Sequence, residues 1–132
     1  MNGIIIDTTL LAAHERGKFN LRTFFQSHVG TPYAVSAMTV SEMWHGVERA
    51  SASHKAEKAA TVSGLLGQTK VLDFTEEIAR VHARLWAELE KTGQRIGAHD
   101  MIIAATCLHH DYALATFNVD EFKRVRGLKL VD

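Results

Sequence analysis

Cysteine and proline each occur only once in the 132 residues. The lone cysteine, Cys107, excludes a disulfide within the chain and fits a reducing compartment. It lies inside an apolar helical run and reads as a buried, inert thiol. The scarcity of proline beside 46% apolar residues excludes a disordered chain and argues for an ordered globule. Net charge is lacking too, since 15 Lys and Arg balance 15 Asp and Glu. No global field therefore draws the protein onto nucleic acid or a membrane, and a polyanion must be met by local patches. No basic leader precedes a long apolar segment, and no stretch approaches the ~18 apolar residues of a membrane span, so the expected location is the cytoplasm. Internal repeats, low-complexity segments and linkers are absent. Residues 1–132 are expected to form one domain, long enough to bury a real core.

What is present alternates between strand and helix. Gly3-Ile4-Ile5-Ile6 is a fully apolar, β-branched run, the signature of a buried strand in a parallel sheet, and Asp7 ends it. A helix runs from Thr8 to near Gly17, and Asn20 caps a second over Leu21–His28. Thr31–Ala37 reads as a strand with Pro32 at its entry. Thr39 and Glu42 have the spacing of a capping box at the start of the next helix, in which Met43 and Trp44 are core residues. His54–Leu66 is a solvent-facing helix, and Val71–Phe74 a third strand. Thr75 caps a long helix to Thr92, whose Ile78, Val81, Leu85 and Leu89 recur at helical spacing. Ala79 and Trp86 widen that apolar face enough to suit packing on the sheet and on a second subunit. A helix follows the Gly97-Ala98-His99 turn and is apolar on nearly every side from Met101 to Leu108. Tyr112–Thr116 is the next strand, Phe117–Phe122 a polar loop or short helix, and Lys129–Val131 a closing edge strand. The order predicts an α/β fold with a mainly parallel central sheet flanked by helices.

Ligand sites of such sheets lie beyond the carboxyl ends of the strands. The acids are expected there: Asp7 after the first strand, Glu42 in the first turn after the second, Asp100 at the opening of the apolar helix, and Asn118, Asp120 and Glu121 after the fourth. Each acid alone has a local explanation as a helix cap, Asp7 and Asp100 directly and Glu42 through the Thr39 box. Together they are costly. Carboxylates about 5 Å apart repel by roughly 3 kcal/mol at an effective dielectric of about 20, so three mutual pairs approach roughly 10 kcal/mol. That rivals the stability of a whole domain. Either a proton or a hard divalent cation is required, and Mg²⁺ or Mn²⁺ among carboxylates points to phosphodiester chemistry. The His109-His110 pair does not converge on a metal by spacing alone, because adjacent helical residues point about 100° apart.

Four blocks carry a family resemblance: Asp7-Thr8-Thr9; Thr39-Val40-Ser41-Glu42 continuing to Ala50; Gly93 to Ala105 around Asp100; and Thr116-Phe117-Asn118-Val119-Asp120-Glu121-Phe122. In order and spacing the chain resembles the PIN-domain ribonucleases of the VapC toxin type. The resemblance implies a PIN-like fold, metal-dependent endonucleolytic cleavage of RNA, and inhibition by a cognate VapB-type antitoxin. It matches Asp7, Glu42 and Asp100 to the family's catalytic, metal-binding acids, with Mg²⁺ or Mn²⁺ as cofactor. It also puts Asn118 where a fourth acid or an asparagine is found, and Glu121 at the acid before the phenylalanine. Asp120 and Thr8 are further polar candidates beside them. Two positions depart from the pattern: Thr9 stands where the family usually has asparagine, and Phe117 replaces a frequent polar or basic residue. A haloacid-dehalogenase-type phosphatase is disfavoured because it needs a second acid where Thr9 stands. The remaining alternative is a PIN-like module that binds RNA or protein without cutting. Arg16, Lys18, Arg49, Arg95 and the basic residues from Lys123 to Arg126 are candidates for phosphate contact. A homodimer is expected from the wide apolar face of the long helix and from the resemblance.

Overall fold

The computed structural model describes residues 1–131, so the last residue of the expected 1–132 span lies outside the described residues. Four parallel strands form one sheet in the order β3-β2-β1-β4: β1 (Gly3–Ile6), β2 (Tyr33–Ser36), β3 (Lys70–Leu72) and β4 (Tyr112–Ala115). The helices are α1 (Thr8–Glu15), α2 (Leu21–Ser27), α3 (Ala37–Glu48), α4 (Lys55–Leu66), α5 (Glu76–Lys91), α6 (Ala98–His110) and α7 (Val119–Phe122).

The run of isoleucines makes β1 the centre. Side chains alternate across a strand, so Ile4 and Ile6 enter one core with Leu10, Leu11, Met43, Val47 and Val62, while Ile5 enters the other. That second core gathers Leu85, Leu89, Ile103, Leu114 and Phe122 from α5, α6, β4 and α7. Two layers of helices thus enclose the sheet, and all four residues of β1 are buried. Gly3 is required where three strands converge: a Cβ there would stand 2.8 Å from the Pro32 carbonyl oxygen and from the Tyr112 ring. Asn20 and Thr75 cap α2 and α5 as expected, accepting from the N–H of Thr23 and Ile78.

Some expectations are corrected. The Lys129–Val131 segment makes a single parallel bridge, Leu130 opposite Leu114, rather than a strand. Leu114 N–H donates to Lys129 O at 2.8 Å and Val131 N–H to Leu114 O at 2.9 Å. The left-handed turn at Gly127 (φ 84°) precedes this short approach to β4. β3 ends at Leu72 because Asp73 and Phe74 turn out of the sheet, and Phe74 packs on His82 instead. The Thr39–Glu42 capping box does not form. Ser36, at the end of β2, takes the N-cap and accepts from Met38 N–H at 3.1 Å, so α3 begins before Thr39, which is buried. Among the described residues no helix is long and apolar enough to cross a membrane.

α4 buries only Val62 and carries an exposed Gly64 with nothing within 4 Å of where a Cβ would sit. Gly64→Ala is therefore expected to stabilise the protein by about 0.5–1 kcal/mol, since the methyl group meets no obstacle and the unfolded chain loses freedom. Urea unfolding with an unchanged slope and a raised midpoint checks this.

Candidate functional site

Parallel pairing of β1 and β4 aligns Ile6 with Ala115, so the next residues, Asp7 and Thr116, meet beyond the carboxyl edge. Asp7 is 2% exposed. Its Oδ2 accepts from Thr116 Oγ1 at 2.6 Å and from Thr9 Oγ1 at 2.8 Å. Each hydroxyl is itself fixed, Thr116 Oγ1 accepting from Asn118 N–H and Thr9 Oγ1 from Phe117 N–H. Asp7 occupies the N-cap position of α1, but its side chain makes no capping bond; two threonines hold it instead. Thr9, the departure from the family pattern, thus supplies an orienting donor to Asp7.

Glu42 lies in the second turn of α3, one turn later than expected, because α3 starts early. Thr8 Oγ1 donates to Glu42 Oε1 at 2.6 Å and lies 3.1 Å from Thr39 Oγ1. His99 Nδ1 is 3.4 Å from Glu42 Oε2. The first residues of α1 therefore organise two acids on two different elements.

Asp100 sits in the first turn of α6, where the helix dipole suits a carboxylate, but Gly97 holds the N-cap position and no side chain caps the helix. The Gly97 N–H donates instead to Glu121 Oε1 at 2.5 Å, and Asn118 Nδ2 donates to Glu121 Oε2. A Cβ at Gly97 would stand 3.5 Å from Asp100 Oδ2 and 3.7 Å from Glu121 Oε1, so both carboxyl groups flank this glycine. Burial pushes the Asp100 carboxyl up to about 7, helped by its hydrogen bond with Glu121 and by the charges of Glu121, Asp7 and Glu42. Glu121 moves the other way. Burial opposes its ionisation, yet hydrogen bonds from Asp100, Gly97 and Asn118 and the charge of Arg124 outweigh burial and lower its pKa. The two carboxyl groups are thus driven apart, the neutral form being favoured at Asp100 and the ionised form at Glu121.

Asp7, Glu42 and Glu121 are each within electrostatic reach of Asp100, with Thr8 and Asn118 as orienting donors to Glu42 and Glu121. Asp120 is exposed and its side chain makes no hydrogen bond among the described residues. Among the described residues no three His, Cys, Asp or Glu side chains already converge as tightly as a bound ion would hold them. The donor chemistry nevertheless suits a hard cation, being carboxylate oxygen throughout, and a cation would offset the neighbouring charges that help to raise the Asp100 carboxyl. Sequence reasoning missed Thr116 and His99. Thr116 is the first residue past β4, which the carboxyl-edge rule marks, whereas His99 gave no signal beyond adjoining Asp100. Cys107 is fully buried, and burial, with the charge of Asp7, pushes its thiol well up, so it is inert.

Thr116→Val removes a donor to a buried carboxylate and an acceptor for the Asn118 N–H. It is expected to cost about 1–3 kcal/mol, with Thr116→Ser recovering most of it, as read by denaturant unfolding.

The PIN domain family model matches residues 4–128. The chain is a PIN domain. Among its relatives, Ribonuclease VapC1 of Rickettsia felis is 38% identical over 130 residues, which cover 98% of this PIN domain and 95% of the relative. The tRNA(fMet)-specific endonuclease VapC of Salmonella typhimurium is 29% identical over 119 residues, covering 90% and 83% respectively. The crystal structure of DNA-bound VapBC from Salmonella typhimurium contains a chain that superposes on this PIN domain with a TM-score of 0.91 at 26% identity, covering 100% of this chain and 98% of that one. The PIN domain is thus of the VapC type, as the order of its four motif blocks implied.

Proposed function

We propose that this single PIN domain is a metal-dependent endoribonuclease, the toxin of a type II toxin–antitoxin pair, restrained in the cytoplasm by a VapB-type antitoxin. The observation that carries the reading is the group of acids beyond the carboxyl edge of a parallel sheet, Asp7, Glu42 and Glu121 each oriented by hydrogen bonds and each raising Asp100 by its charge. The VapC relatives, ribonucleases by name, support the same chemistry. Asp7, Glu42 and Asp100 are the residues to hold Mg²⁺ or Mn²⁺, whose bound form would supply an activated water and neutralise charge on the phosphate.

The chain's own contribution is positioning. Thr9 and Thr116 aim Asp7, Thr8 aims Glu42, and Gly97 with Asn118 anchors Glu121. Asp100 can give up its proton as a cation enters, so metal binding is expected to release protons near pH 7 and few near pH 9, where the carboxyl is already ionised. Calorimetry of Mn²⁺ binding in buffers of different ionisation enthalpy measures this directly. The function itself is tested with purified protein and total RNA. Cleavage in Mg²⁺ or Mn²⁺ that stops with chelator supports the reading; cleavage unaffected by chelator, or none, rejects it.

Pairing of two copies through α5 is part of the proposal. Trp86 is 51% exposed and lies against His82, which in turn packs on Phe74, itself 46% exposed. Such a patch is unusual for an unpartnered surface. Sedimentation at micromolar concentration should give a dimer for the natural chain and a monomer for Trp86→Asp.

A further inference from the structure

α3 does more than carry Glu42. Thr39, Met43 and Val47 bury one side of it, while Ser41, His45 and Arg49 are exposed on the other, with Glu42 and Gly46 between. Glu42, His45 and Arg49 follow one another at three and four residues, so they line a single face.

Three depressions lie along that face. The first, about 330 Å³, is lined by Glu42, His99, Asp100 and the Gly97–Ala98 backbone. The second, about 520 Å³, shares Glu42 and His99 with the first and adds Ser41 and His45. The third, about 350 Å³, is formed by Gly46, Arg49, Ala50 and Lys58. Gly46 leaves room for the Lys58 side chain from α4, since a Cβ there would touch Lys58 Cε and Nζ at 3.5 Å. Glu48, the acid nearest in sequence, is paired with Lys55 at 3.1 Å, whereas Arg49 and Lys58 make no ion pair among the described residues. In a chain with no net charge, this leaves two uncompensated cations at the far end of a polar strip that begins in the acid site.

We propose that this face of α3 is the track along which the RNA strand runs from the cleavage site, Arg49 and Lys58 gripping one of its phosphates. The proposal rests on the ribonuclease reading. Seven residues at 1.5 Å each separate Glu42 from Arg49 by about 10 Å. That is roughly three stacked nucleotides at about 3.4 Å, and fewer in an extended strand. The strip has no large apolar side chain, so charge favours a polyanion over an apolar protein segment. His45 lines the path between the two ends, and His99 borders both the first depression and the second.

The test compares the natural chain with Arg49→Ala/Lys58→Ala on a 12-nucleotide single-stranded RNA in Mn²⁺. KM is expected to rise about tenfold, the worth of one charge-assisted contact, with kcat within about twofold. The dependence of log(kcat/KM) on log[salt] should flatten by about 0.7, the value of one phosphate on a single strand. Arg49→Lys/Lys58→Arg should restore both, and the same loss of two exposed charges on α2 and β3, Arg22→Ala/Lys70→Ala, should change neither. Matching circular dichroism melts show that the exposed substitutions leave the fold intact. Unchanged KM and salt slope in an enzyme that still cleaves RNA overturn the track alone, as does an equal effect of the Arg22→Ala/Lys70→Ala control. A natural chain that cleaves no RNA overturns the ribonuclease reading and the track with it.

Discussion

Asp100→Asn is expected to reduce metal-dependent RNA cleavage by at least three orders of magnitude while the protein stays folded. The amide keeps the size of the side chain and its place in the first turn of α6, but removes one negative ligand from the proposed ion site. Without metal the same substitution should stabilise the protein. Asp100 has a folded-state pKa of about 7, above its ordinary 3.8, so its ionised form is the disfavoured one in the native state. Below the ordinary value the carboxyl is protonated in both states and carries no penalty. The penalty grows as pH rises from about 4 and is complete above about 7. Stability from this group therefore falls between mildly acidic and neutral pH, and Asp100→Asn abolishes that fall. Solvent screening of a half-buried group leaves an expected difference on the order of 1–2 kcal/mol. Melts in chelator at pH 5 and pH 8 should show the variant gaining at pH 8 over pH 5. An equal effect at both would mean that Asp100 serves only the helix.

Phe122→Ala is expected to have the largest effect on stability, about 3–5 kcal/mol. Phe122 is fully buried in the core with Ile5, Ile103 and Leu114, and it anchors the short helix that carries Glu121. With a typical domain stability of about 5–15 kcal/mol, the loss is a large fraction of the total. The melting temperature should fall by about 10 °C or more. Cleavage should weaken even where the protein remains folded, because Glu121 loses the support that sets it against Gly97 and Asn118. Phe122→Leu, which retains most of the apolar volume, should cost less than about 2 kcal/mol.

Most of the architecture was legible because it rests on hydrophobic period. The unbroken Gly3–Ile6 run reads as a central parallel strand, and the helical spacing of Ile78, Leu85 and Leu89 reads as α5. Boundaries were less legible where two residues competed for one role. Thr39 and Glu42 have the right spacing for a capping box, yet Ser36 comes first in the chain and takes the cap, which leaves Thr39 to pack beside Thr8 and Glu42 to face the site. The final segment has strand-like residues, but only Leu130 pairs. Asp7, Glu42 and Glu121 could be placed at the sheet edge from the strand ends before them, and Asp100 only from the start of its own helix. Their supports could not, because the Thr116–Asp7 and Gly97–Glu121 bonds join residues 109 and 24 positions apart and depend on strand order. Thr9 shows the limit most clearly: by family pattern it is a departure, whereas in the fold its hydroxyl aims Asp7.

Asp7, Glu42 and Asp100 are proposed to share one divalent cation. Calorimetric titration of Mn²⁺ into the natural chain and Asp100→Asn at pH 7 measures it without reference to any RNA. Saturable binding with proton release by the natural chain, weakened at least tenfold and without that release in Asp100→Asn, is the predicted result. Equal affinity in the two proteins, or no binding by the natural chain at millimolar Mn²⁺, would contradict it.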